Sequence, residues 1–412
     1  MIILENILKI IFSIGLGYLF GSFLPGYFLP LWFKKVDIRR LGDGNPGVLN
    51  VKRSVGLFPA IITALYDVSK GFIPMIILRY IFNFPDFFVY LGGFSAVLGH
   101  KFPFYLGFKG GRGFATSLSL FIFLFVKLLI QNFSSLQMIQ FFVFLVIYFL
   151  LLNIATHGVG DVFTITAFPI IAFFMWLNAK SYVDVLFLTI LAVVITYEAV
   201  KNLLRDGFKF YTEKNTFWRI LARPFALLFI PLYIFTSKFV VLLIIGIILA
   251  IFSLLDILRI LVRRIENFFQ VEITKNFKIF REKEVGRVSS ITNFLLGIFI
   301  SFVLFEREIA FASLGFTSLG DMMAKWVGIN FGRKKIFKNS DKTLEGSIGF
   351  LSMGFVVSFF LWFEGLLPLY IVLVGAIVSF IVEALPNVID DNFSVPIISG
   401  LSLIHISEPT RQ

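Results

Sequence analysis

Apolar runs close to the roughly 20 residues that cross a bilayer core recur along almost the whole chain. They predict helices over Ile7–Phe33, Leu57–Phe82, Phe87–Leu98, Phe114–Ile130, Leu136–Ala155, Val162–Leu177 and Val183–Thr196. Further runs predict Leu221–Phe235, Phe239–Leu258, Ile291–Phe305, Ile309–Leu319, Ser347–Phe363 and Leu366–Val382. In lipid each backbone polar group must be satisfied within its own segment, so the runs read as helices and not as open strands. With 58% hydrophobic residues, 56 phenylalanines and a mean hydropathy of +0.91, the 412-residue chain has more apolar surface than one soluble core absorbs. The expectation is an all-α, polytopic integral membrane protein of about 13 transmembrane helices in two bundles. The first run is too long for a cleavable signal peptide, and GSFLPGYFLP carries no small-residue cleavage site.

Charge then orients the spans. Strongly basic loops follow the first, third, seventh, ninth and eleventh runs, as in Lys34–Arg53, Lys101–Arg112, Lys201–Arg223, Arg259–Arg287 and Lys325–Lys342. The opposite loops, such as Asn83–Asp86 and Glu364–Gly365, carry almost no bases. All basic loops therefore fall on one face, expected to be cytoplasmic in a cell (inner) membrane, with the N-terminus outside. The net charge of +12 matches contact with anionic lipid head groups, and no nucleic-acid partner is expected. Cysteine is absent, which excludes disulfides and thiolate metal sites, and three histidines are too few for a His-rich centre.

Two polar stretches stand out against this background. Leu41–Arg53 reads LGDGNPGVLNVKR and His100–Thr116 reads HKFPFYLGFKGGRGFAT. Glycines that bare backbone N–H groups, with Lys and Arg beside them, form a cradle for phosphate, and the second stretch leads directly into a helix N-terminus. No Walker loop is present. GSFLPG at Gly21–Gly26 breaks the first run and frees backbone groups, either at a simple kink or toward a polar site. Asp67 and Lys70 lie inside an apolar run, three residues apart on one helical face, where they can pair.

These residues resemble the acyl-phosphate-dependent glycerol-3-phosphate acyltransferases of bacteria. The resemblance covers about residues 10–215 and rests on GSFLPG, DIRRLGDGNPGVLNVKR, YDVSKG, GHKFPFYLGFKGGRGFAT and, weakly, TYEAVKNLLRDG. It implies a seven-span domain with a site at the cytoplasmic face that moves an acyl group from acyl phosphate to glycerol 3-phosphate, giving lysophosphatidate. Asp43, Asn45, Lys109 and Arg112 take the catalytic places. Arg39, Gly42, Gly44, Gly47, Asn50, Arg53, Lys70, His100, Gly110, Gly111, Gly113 and Thr116 take those that bind substrate phosphate. No cofactor or metal is implied, because the hydroxyl can attack the acyl phosphate directly. The chain departs from the family pattern GSGNxGATN, with Asp43 for a serine and Leu49 for a threonine. Arg112 stands where Lys is usual. Thr196–Val200 replaces an H-x-E-N-I-like motif without its His and Asn. A re-targeted or inactive acyltransferase relative is the alternative that these departures leave open.

A different polar set follows Glu284: EVGRVSS, SLGDMMAKWVGINFGRKK, KTLEGS and VEALPNVIDDNFSVP. Carboxylates alternating with basic glycine turns suit Mg²⁺-nucleotide chemistry. This order resembles the dolichol-kinase and phytol-kinase family, related to cytidylyltransferases, over about residues 240–400. The resemblance implies phosphorylation of a polyprenol-like or other lipid alcohol with CTP and Mg²⁺, and it singles out Asp321, Lys325, Lys342, Glu345, Asp390, Asp391 and Asn392.

The expected organisation is an acyltransferase-like domain over 1–220, connecting spans and a basic loop over 221–290, and a truncated lipid-kinase-like domain over 291–400. Leu401–Gln412, LSLIHISEPTRQ, reads like a translated sequencing adapter at a contig edge, so His405 is set aside. A lipid or anion transporter is the competing class. It requires charges along a path at the midplane, whereas most charges here sit at one face, with Asp67 and Lys70 the main intramembrane exceptions.

Overall fold

A computed structural model describes residues 2–208, 223–262, 287–338, 341–385 and 390–407. Among these residues the chain is helical, and its one β feature is an isolated bridge between Lys335 and Thr343. Eight helical stretches are long and apolar enough to cross a membrane: Ile3–Lys34, Leu57–Ile81, Phe114–Asn132, Ser135–Ala155, Gly160–Asn178, Tyr182–Arg205, Lys238–Leu261 and Leu344–Phe363. The expected count of 13 is not confirmed among the described residues. Arg223–Phe235, Ser290–Leu304 and Leu369–Ala384 are apolar but fall short of the roughly 20 residues a bilayer core requires. Wide apolar faces stay uncovered, with Leu65 68% and Phe58 65% exposed, as a surface solvated by lipid requires.

The chain forms two compact units, one of residues 1–142 and 161–206, the other of residues 143–160 and 207–412. In the first unit α1 (Ile2–Ser22) is followed by α2 (Pro25–Lys34), α3 (Val48–Ser54), α4 (Leu57–Ser69) and α5 (Phe72–Ile76). Then come α6 (Asp86–Lys101), α7 (Phe114–Asn132), the start of α8 (Ser135–Ala155), α9 (Gly160–Asn178) and α10 (Tyr182–Arg205). The predicted Ile7–Phe33 helix is thus two helices. Leu24, with φ of −121° and ψ of 91°, is extended ahead of Pro25.

α1 lies against α6 through small residues. A Cβ added at Gly17 would meet the Gly92 carbonyl oxygen at 1.9 Å, and one at Gly21 the Ala96 carbonyl oxygen at 2.1 Å. Such glycine seams let helix backbones touch where lipid supplies no hydrophobic drive. At the end of α7 remote from the glycine loops, Lys127 pairs with Asp86 (3.1 Å) and Asp184 (3.0 Å), tying α7 to the first turns of α6 and α10.

The second unit contains α11 (Phe229–Phe235), α12 (Lys238–Leu261), α13 (Ser290–Leu304), α14 (Arg307–Phe331), α15 (Leu344–Phe363), α16 (Leu369–Ala384) and α17 (Asp391–Ser407). Its core is built from Ile298, Phe302, Phe305, Ala310, Phe316, Val372 and neighbours. Ser237, Ser289 and Thr343 each accept the N–H of the residue three positions on, capping α12, α13 and α15. α14 runs well beyond the expected Ile309–Leu319. α17 runs through Leu401 to Ser407, and its Leu403 is buried in the core, so part of the stretch set aside as a tail is packed helix. Residues 408–412 lie outside the described residues.

Candidate functional site

The residues of the two glycine loops meet at one end of the first unit. The first loop is shaped from within. Gly42 (φ +56°) and Gly44 (φ +71°) turn the chain in the left-handed region. Between them the Asp43 carboxylate accepts the Asn45 N–H at 3.2 Å. Asn50, 3% exposed on α3, points back into the loop, and its amide donates to the carbonyls of Leu41 (2.9 Å) and Asn45 (3.1 Å). A Cβ on Gly42 would lie 2.1 Å from Asn50 Oδ1, so only glycine admits this plug. Ile38, Val51 and Ala60 form a small apolar core beneath.

Arg39 is held mainly by the first loop and also donates from Nη1 to the Leu106 carbonyl at 3.4 Å. Its Nε and Nη2 donate to the Asp37 carboxylate at 3.1 and 2.8 Å, and its guanidinium lies over the Tyr27 ring at 5.2 Å. These hydrogen bonds from Arg39 hold the Asp37 carboxyl below its ordinary value of 3.8.

The second loop folds over α6. The N–H groups of Gly110 and Gly111 donate to the carbonyls of Lys101 and His100, both at 3.0 Å. The Gly44 N–H is likewise spent on Leu41. This corrects the expectation that these glycines offer bare N–H groups to phosphate: they serve close approach. A Cβ on Gly111 would lie 2.1 Å from His100 Nε2. Gly113 (φ +73°) then sets the direction of α7.

Arg112 joins the loops. Its backbone N–H donates to Asn45 Oδ1 at 3.1 Å, its Nη2 to Asp43 Oδ2 at 3.0 Å, and its Nη1 to Asn202 Oδ1 at 3.1 Å. Sequence reasoning missed Asn202. It lies on α10 one turn beyond Ala199, the position where the family motif would carry its Asn, and that spacing of three was the available signal. Asn202 also reaches Asp161 at 3.5 Å. Arg53 and Lys109 are exposed and lie outside these contacts.

Lys70, His100 and Thr116 lie beneath the loops and not among them. Lys70 is fully buried, 2.9 Å from Asp67 Oδ1, and its Nζ meets His100 Nδ1. Thr116 donates to the Asp67 carbonyl at 2.7 Å. The group supports the second loop from below through His100. The GSFLPG break is also closed from within: the carbonyls of Phe20 and Ser22 accept the hydroxyls of Tyr66 (2.9 Å) and Tyr105 (2.6 Å). Burial pushes the Tyr105 phenol up to about 12. Trp32 on α2 and Phe104 and Phe108 near the second loop are 56% to 62% exposed, as in an aromatic belt at a membrane surface.

In the second unit the singled-out residues make several ion pairs and hydrogen bonds. Asp321 pairs with Lys325 at 2.8 Å and with Arg223. Lys342 pairs with Asp391 (3.0 Å) and Glu383 (3.7 Å), and Ser347 donates to Glu383 at 2.9 Å. Glu345 accepts the N–H groups of Arg333 and Lys334 at 3.1 and 3.2 Å, with His157 Nε2 at 3.5 Å. Asp390 accepts from Asn392 (2.9 Å, backbone) and Asn293 (3.2 Å). Among the described residues no group of three or more His, Cys, Asp or Glu could hold a metal ion. The carboxylates Asp321 and Asp391 already face ammonium or guanidinium groups. As placed, the set does not fit Mg²⁺ coordination.

Comparison with known proteins bears on the first unit. The family model for glycerol-3-phosphate acyltransferase matches residues 11–206. A glycerol-3-phosphate acyltransferase of Synechococcus sp. (strain CC9902) is 39% identical over 116 residues, 28% of this chain and 58% of the relative. One of Prochlorococcus marinus (strain NATL1A) is 32% identical over 179 residues, 43% of this chain and 84% of the relative. The chain spans little more than half the length of the first curated relatives that it matches. A crystal structure of PlsY (YgiH), an integral membrane glycerol 3-phosphate acyltransferase in its glycerol 3-phosphate form, matches with a TM-score of 0.34 at 24% identity. That match covers 48% of this chain and 92% of the other.

Proposed function

Because the chain belongs to the glycerol-3-phosphate acyltransferase family, we propose that its first unit transfers an acyl group from acyl phosphate to glycerol 3-phosphate at a cytoplasmic membrane face. The observation that carries this reading is the convergence on Arg112 of Asn45, Asp43 and Asn202, drawn from both glycine loops and α10. A hydroxyl oxygen of glycerol 3-phosphate attacks the acyl carbonyl carbon, the carbon–oxygen bond to phosphate breaks, and the hydroxyl proton passes to the departing phosphate. Both reactants carry phosphate charge, so fixed cations that hold them together offset their repulsion and align the attack. In this reading Arg112 and Lys109 face the phosphates, Asn45 and Asn50 fix the loop, and the exposed aromatic residues receive the acyl chain at the lipid boundary.

The test is purified protein in lipid given acyl phosphate and glycerol 3-phosphate, with lysophosphatidate measured. Wild type should form product and Arg112→Ala should lose at least tenfold in rate, the scale of one lost charged contact. Absence of product from wild type removes the reading. Sidedness is checked by single cysteines introduced into this cysteine-free chain: Lys52→Cys and Lys109→Cys should react with a membrane-impermeant thiol reagent only from the cytoplasmic side.

For the second unit a second reading, CTP-dependent phosphorylation of a lipid alcohol, is supported by the sequence order of Asp321, Lys325, Lys342, Glu345, Asp390, Asp391 and Asn392 alone. Phosphate transfer from CTP to a polyprenol, lost in Lys342→Ala, supports it. No transfer by the wild type, or flux of substrate across sealed vesicles without covalent change, removes it.

A further inference from the structure

Arg112 is already engaged by an anion of the chain's own. Its Nη2 lies 3.0 Å from Asp43 Oδ2, and this carboxylate is aimed by its other oxygen, which accepts the Asn45 N–H at 3.2 Å. Left-handed glycines on both sides fix the turn that presents it. The same Asn45 accepts the Arg112 backbone N–H, so one short segment sets both the position of the guanidinium and the charge that faces it. A second pair in the loop shows what a permanent lock looks like. Asp37 takes Arg39 through two guanidinium nitrogens and the backbone N–H together. Asp43 makes one contact to Arg112, and the two side chains are 42% and 27% exposed. A single, water-accessible contact of this kind is weak enough to open and strong enough to be felt.

We propose that Asp43 is a built-in competitor for Arg112: its carboxylate occupies the guanidinium that a substrate phosphate must take, and so sets how tightly the site holds phosphate-bearing acceptors. This rests on the acyltransferase reading of the same loops. A phosphate dianion entering the cradle displaces Asp43 and then meets its negative charge nearby. The affinity for phosphate is thereby lowered, and acceptors with less negative charge are penalised less. The serine that the family pattern places here offers a hydroxyl and no charge. Asp43 therefore determines specificity and does no bond chemistry.

The experiment is titration of inorganic phosphate into the purified, detergent-solubilised full chain by calorimetry, with wild type, Asp43→Asn, Asp43→Ser, and each substitution repeated in an Arg112→Ala background. Asp43→Asn keeps an oxygen for the Asn45 N–H and removes the charge. Asp43→Ser restores a hydroxyl, so the two variants fail differently if the loop itself is damaged. Both are expected to tighten phosphate binding about fivefold, the factor equivalent to one exposed ion pair. The gain should vanish when Arg112 is absent. Unchanged or weaker binding in both variants overturns the proposal. So does an equal gain in the Arg112→Ala background, which would mark a diffuse charge effect. Lysophosphatidate formation is measured on the same preparations. No product from any of them defeats the acyltransferase reading, while the phosphate titration still decides the role of Asp43.

Discussion

Lys70 Nζ lies 2.9 Å from Asp67 Oδ1, one helical turn apart, and neither side chain is more than 3% exposed. A paired charge at this depth is tolerated; an orphaned one costs about 3–5 kcal/mol. Asp67→Asn leaves the buried Lys70 ammonium without a counter-charge, with His100 and the Tyr66 ring beside it. Lys70→Met leaves Asp67 with His100 Nδ1 at 3.4 Å. Both variants should lower the melting temperature in detergent, Asp67→Asn by more, and the double variant should recover part of the loss.

Asn50 is predicted to govern activity out of proportion to stability. Asn50→Ala removes the donor that serves two carbonyls of the first loop at once and leaves a hole beside Gly42. The expected cost is about 1–3 kcal/mol in thermal unfolding. The loop that carries Asp43 and Asn45 should lose its shape, so turnover should fall by more than that loss of stability accounts for.

Gly111→Ala sets a methyl group where the His100 ring stands, whereas Gly160→Ala meets nothing within 4 Å. The first substitution must push the second loop off α6 and should abolish turnover. The second should leave both turnover and melting temperature unchanged. Equal behaviour of the two variants in one assay removes the close-approach account of the glycines.

The pair of Asp37 and Arg39 gives a pH signature. Its hydrogen bonds hold the Asp37 carboxyl below 3.8 when folded, so its stabilisation is fully present above pH 3.8 and is lost as pH falls through the lowered folded value. Protease nicking of the first loop should thus be flat from pH 8 to pH 5 in wild type. Asp37→Asn should raise nicking across that whole range, and the difference should close at acid pH.

The helices were legible because lipid leaves a backbone few other choices, and the pairing of Asp67 with Lys70 followed from their spacing of three. The break after Ser22 was visible in Pro25. What stayed hidden depended on partners distant in sequence. In TYEAVKNLLRDG the spacing of Asn202 from Ala199 is visible, but its partner, an arginine 90 residues earlier, is not. A glycine run shows that the backbone can come close to something. It does not show that the Lys101 and His100 carbonyls will use the N–H groups first. Lys127 reads as a stray charge in an apolar run until Asp86 and Asp184 arrive from two other helices.

The contact of α1 with α6 has a further consequence. Gly17 and Gly21 act as a gauge, since the thickness of a missing methyl group decides how deep Ser22 sits, and the Ser22 carbonyl is the peg on which Tyr105 hangs. An alanine at Gly21 would lift that peg. The turn ahead of Lys109 and Arg112 would be carried with it, so a seam between two helices sets where the loop that bears both cations stands.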